Sequence, residues 1–95
     1  MNEEELFDFS IKVLTKNLPV LRKILGLTQS EFADIVGLSR QTVVNIENEN
    51  QKMKRTTFMA IMYLFSLNRK TSVFLENIDI PYKELKKWLE LKTNM

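Results

Sequence analysis

Between Ser39 and Asn48 the chain reads SRQTVVNIEN. Its polar side chains are suited to binding by hydrogen bonds rather than to making or breaking bonds. Placed on a helix at about 100° per residue, Val43 and Ile46 share one side, and Gln41, Val44, Asn45 and Asn48 form a stripe on the other. Two amides in one stripe can offer a donor and an acceptor side by side, the pattern that matches an adenine edge in the major groove, while Val44 suits a thymine methyl. Arg40 flanks the stripe, within reach of a guanine or a phosphate. A merely solvated helix face usually mixes Glu with Lys, whereas Arg40, Gln41, Thr42, Val44 and Asn45 include no acid.

Reactive chemistry has little to stand on. The 95 residues contain no histidine and no cysteine, which removes the commonest general base, the commonest metal ligand and any thiolate nucleophile. Asp34, Glu47, Glu49, Glu76 and Asp79 show no spacing that suggests a catalytic carboxylate pair. We therefore expect no enzyme, no metal and no cofactor. With 44% hydrophobic and 27% charged residues, residues 1–95 suit one small globular domain. No run approaches the ~20 apolar residues of a membrane span, and the acidic opening is unlike a secretory signal, so the expectation is a cytoplasmic protein without membrane contact. The net charge of +2 is unevenly spread: Glu3, Glu4, Glu5 and Asp8 lie at the start, and Lys52, Lys54 and Arg55 cluster mid-chain.

The elements that would position the stripe read as helices throughout. Two glycines, two prolines and apolar spacings of three and four give an all-α domain, compact, with five to seven helices and short connections. Phe7, Ile11, Leu14 and Leu18 define a helix over about 3–16, which Asn17 and Pro19 should interrupt before a short helix from about Leu18 to Leu25. Thr28 and Glu31 match a capping box, followed by an inward stripe of Phe32, Ile35 and Val36 that ends at Gly37. Ser39 is the N-cap of the next helix. The run FMAIMYLF, 58–65, is apolar at every position and predicts burial on nearly every side, as a central helix or a dimer contact. Thr71 or Ser72 can cap a short helix through Glu76, and Pro81 introduces a last one over about 81–93, with Tyr82, Leu85, Trp88 and Leu89 on one face as core or dimer contacts.

Gln29 stands at the polar start of the first helix of the pair, where free N–H groups favour a phosphate oxygen. Small Ala33 would let the two helices approach closely. With these residues in place, LRKILGLTQSEFADIVGLSRQTVVNIEN resembles the helix-turn-helix of the phage Cro and repressor proteins and of the related xenobiotic-response-element family of bacterial regulators. The likeness covers about 19–67, with the helix-turn-helix itself at 28–48. It implies base contact by Arg40, Gln41 and Asn45 with Thr42 and Val44 at the edge of the readout, and backbone contact by Gln29, Ser39 and Asn48. It also implies an ion pair between Arg22 and Glu47. Lys52, Lys54 and Arg55 are assigned to phosphates, although ENENQKMKRTT departs from the glycine and proline that relatives place after this asparagine.

The function so implied is sequence-specific binding of double-stranded DNA by a transcriptional regulator. It would most simply be a repressor that meets a pseudo-palindromic operator as a homodimer, with helix 39–48 in the major groove. A different class also fits: an antitoxin-type or other interaction module that binds a partner protein through its terminal helices.

Overall fold

The computed structural model describes residues 1–93. It contains six helices: α1 (Glu3–Ile24), α2 (Gln29–Val36), α3 (Arg40–Glu47), α4 (Arg55–Ser66), α5 (Arg69–Glu76) and α6 (Tyr82–Thr93). α1 is the axis of the molecule and packs against α3, α4, α5 and α6. Asn2 and Glu5 start it with a capping box, the Asn2 side chain accepting from the Glu5 N–H at 2.8 Å and the Glu5 carboxylate from the Asn2 N–H at 3.1 Å. Three glutamates in the first turn complement the helix dipole.

The buried side of α1 runs through Phe7, Ile11, Leu14, Leu18 and Leu21. These meet Phe32 of α2, Val43 and Ile46 of α3, Met53 before α4, Phe58, Ile61 and Phe65 of α4, and Leu75 of α5 in one core. Each such side chain contributes about 1.5–3 kcal/mol by leaving water. Phe32 stacks on Phe65 with centroids 5.8 Å apart, and Phe7 meets Phe58 edge-on at 6.1 Å.

Four expectations need correction. Asn17 and Pro19 do not interrupt α1, which continues for 22 residues with Pro19 inside it. Proline deletes one ladder hydrogen bond, but Leu14, Leu18 and Leu21 are anchored in the core on both sides of it, and that burial outweighs the local penalty. Ile35 does not point inward; it is 54% exposed, and the interior face of α2 is made by Phe32 and Ala33. The apolar run of α4 is buried on one side only, at Phe58, Ile61 and Phe65, while Met59 and Tyr63 face outward at 43% and 68% exposure. Finally, α5 is capped by Asn68, which accepts from the N–H groups of Lys70 and Thr71. Thr71 is instead fully buried, its hydroxyl donating to the Phe65 carbonyl at 2.6 Å.

α1, α2 and α3 end alike. Gly26 and Gly37 adopt left-handed φ of 69° and 74°, and Glu49 does so at 60°. After each helix an N–H reaches back five residues to a carbonyl, Leu27 to Arg22 at 3.2 Å, Leu38 to Ala33 at 2.9 Å and Asn50 to Asn45 at 2.8 Å. This is the Schellman-type closure, which needs a left-handed residue at its corner.

Candidate nucleic-acid interface

α3 is only eight residues long, so its orientation depends on what holds it. Ser39 caps it, accepting from the Thr42 N–H at 3.1 Å, and the two hydroxyls meet at 2.8 Å. Val43 and Ile46 fix its inner face in the core. Its last residue, Glu47, accepts from Arg22 Nε at 2.9 Å and Nη2 at 3.0 Å and from Gln29 Nε2 at 3.0 Å. Arg22 also donates from Nη1 to the Leu27 carbonyl at 2.9 Å. One carboxylate thus ties the end of α3 to the end of α1 and the start of α2. The fork-to-fork pair is nearly sealed from water, with side-chain exposures of 11% and 5%, and the Glu47 carboxylate raises the Arg22 pKa above its ordinary value. Charge-assisted, bidentate pairs of this kind fix geometry closely.

On the opposite side, Arg40 and Gln41 are exposed and Thr42, Val44 and Asn45 half-buried. Gln41 Nε2 donates to Asn45 Oδ1 at 2.9 Å, so the two amides lie side by side. Asn45 Nδ2 donates in turn to Gln51 Oε1 at 3.5 Å, a contact the sequence did not suggest. Glu31, which accepts from the Thr28 N–H at the start of α2, has its carboxyl held below the usual range by that N–H first and by the Thr28 hydroxyl next.

Residues 21–61 match the family model described as Helix-turn-helix. This segment is a helix-turn-helix of the Cro/repressor type. The helix-turn-helix is a DNA-binding element of transcription regulators, and α3 is its second helix. No curated protein and no solved structure matches the chain. No helix among the described residues is long and apolar enough to cross a membrane.

Around this helix-turn-helix the structure arranges the remaining singled-out residues unevenly. Gln29 spends its amide on Glu47. Asn48 is the exposed C-cap of α3, and Lys54 is the N-cap residue of α4. Lys52 and Arg55 turn toward the acidic opening of α1: Lys52 pairs with Asp8, and Arg55 Nη1 lies 3.2 Å from Glu3 Oε2. The Arg55 guanidinium also sits 3.9 Å over the Phe7 ring, a cation–π contact. Glu3 further accepts from the Trp88 indole and lies 3.2 Å from Lys92. These partners, the indole foremost and then Lys92 and Arg55, lower the Glu3 pKa to about 2. Partners separated by 44, 52 and 85 residues leave no local signature by which a sequence reading could find them.

Proposed function

We propose that the chain is a sequence-specific DNA-binding regulator, a repressor by occupancy, that binds a pseudo-palindromic operator as a homodimer with α3 in the major groove. The observation that carries this reading is the outer face of α3. Arg40, Gln41, Thr42, Val44 and Asn45 present donors, acceptors and a methyl-matching surface with no acid, and the Gln41 amide is paired with that of Asn45 at 2.9 Å. In this reading Arg40, Gln41 and Asn45 contact bases, Thr42 and Val44 border them, and Gln29, Ser39, Asn48 and Lys54 serve the sugar-phosphate backbone. Lys52 and Arg55 complete that set only when they exchange their carboxylates for phosphates.

A single helix-turn-helix reads few base pairs, and each good bidentate contact discriminates by about 1–3 kcal/mol, so discrimination against a genome calls for two half-sites. The exposed Met59 and Tyr63 of α4 and Leu67 at its C-cap, spaced by four residues, are the apolar stripe we assign to the contact between copies. The chain does no chemistry of its own and takes no cofactor in this reading.

The test is selection from a random duplex library at about 0.15 M salt, run beside the Gln41→Ala, Asn45→Ala double variant. The expected result is a two-fold symmetric motif with half-site centres about 10 bp apart that the variant no longer recovers. Recovery of no motif by folded protein would refute the reading and favour a protein partner for the terminal helices, where Leu89 and Leu91 of α6 lie exposed.

A further inference from the structure

The basic residues that follow α3 are close to the readout. The backbone N–H groups of Asn50 and Gln51 both reach back to the Asn45 carbonyl, at 2.8 and 3.3 Å, and the next residue is Lys52. Across a shallow cleft of about 380 Å³, α1 presents Asp8, whose carboxylate holds the Lys52 ammonium. Five residues earlier on α1, Glu3 holds Arg55. Both acids lie outside the 21–61 helix-turn-helix, and both bases lie inside it.

Resting on the DNA-binding reading above, we propose that Asp8 is an intramolecular stand-in for a DNA phosphate: it occupies Lys52 in the free protein, so that duplex binding must displace it. The pair is built to let go. Lys52 and Asp8 are 64% and 49% exposed, and an exposed pair is weak and screened by salt. A duplex carries a denser line of negative charge than one carboxylate, so it can win the lysine at modest cost. Arg55 differs, because it is held by Glu3 and also by the Phe7 ring, so it exchanges its partner less readily than Lys52.

The experiment is a double-variant cycle on the full chain: wild type, Asp8→Asn, Lys52→Ala and the two combined. Each is titrated by fluorescence anisotropy against a mixed-sequence duplex of about 24 bp between about 50 and 200 mM KCl. Asp8→Asn should tighten binding about two- to fivefold and steepen the log–log salt slope by about 0.9, one phosphate's worth. Lys52→Ala should abolish that gain in the Asp8→Asn background and weaken wild-type binding less than it weakens binding by Asp8→Asn. Two results would overturn the proposal while leaving DNA binding intact: a gain from Asp8→Asn that survives loss of Lys52, which is general repulsion between Asp8 and DNA, or an equal loss from Lys52→Ala in both backgrounds. Absence of duplex binding by all four folded proteins would overturn this proposal together with the reading it rests on.

Discussion

Glu49 sits at the left-handed corner that ends α3, φ 60°, where glycine ends α1 and α2. A residue with a Cβ costs about 1–2 kcal/mol in that conformation, while glycine's extra freedom in the unfolded chain returns part of the difference. Glu49→Gly should therefore stabilise the fold by about 0.5–1 kcal/mol, a rise of several degrees in Tm by calorimetry. The Glu47 carboxylate works in the other direction. Because Arg22 is nearly sealed from water beside it, Glu47→Ala leaves an uncompensated charge and removes the partner of Gln29 as well. We expect a loss of about 3–5 kcal/mol in urea unfolding, and Arg22→Met combined with Glu47→Leu should destabilise less than Glu47→Ala alone. The Arg22–Glu47 pair could be named from the sequence only through the family resemblance; nothing in local spacing joins residues 25 apart.

At the scale of elements, legibility followed the range of the forces involved. The boxes and caps that start α2 and α3 are local, three residues across, and Thr28, Glu31 and Ser39 could be placed without knowing the fold. Pro19 and the cap of α5 show the reverse: a local penalty yielded to the burial of Leu18 and Leu21, and the buried Thr71 hydroxyl donates to carbonyls, that of Phe65 in the preceding helix foremost, instead of accepting from the N–H groups of its own helix start. The outward faces of Ile35, Met59 and Tyr63 escaped the sequence because apolarity marks a residue that can be buried, not one for which the fold has room. α6 is the element most exposed to this limit. It has no buried residue, and its polar attachment runs through Glu3, which binds Trp88 and Lys92. The folded pKa of Glu3, about 2, lies below the ordinary 4.5, so the unfolded or detached state takes the proton first. The attachment is fully present above pH 4.5 and weakens as the pH falls from there toward 2. Trp88 emission should shift over that interval in wild type, and Glu3→Gln should show the detached-like emission already at pH 7; identical titrations would remove Glu3 as the fastening point.

For the whole molecule, the division of labour is spatial. α1 carries the core on one side and meets every helix except α2 among its principal contacts, leaving the outer faces of α3 and α4 exposed. If two copies meet through Met59, Tyr63 and Leu67, a charge at the centre of that stripe should part them. Tyr63→Lys is expected to sediment as a monomer where wild type is a dimer, with unchanged circular dichroism because Tyr63 is 68% exposed, and to bind a two-half-site operator at least tenfold more weakly. A dimer that survives the substitution would move the contact away from α4. The sequence could propose this face as a contact only by its apolarity; which side of the helix is outside depends on the assembled core.

The eight residues of α3 contain two sets that barely overlap. Val43, Ile46 and Glu47 hold the helix in place, and Arg40, Gln41 and Asn45 have no side-chain bond to the core, only the link from Gln41 to Asn45 and on to Gln51. The face proposed to read DNA can therefore be rewritten without renegotiating the fold. A library varied at positions 40, 41 and 45 should remain largely folded, and descendants of this chain could change the address they recognise while keeping the same body.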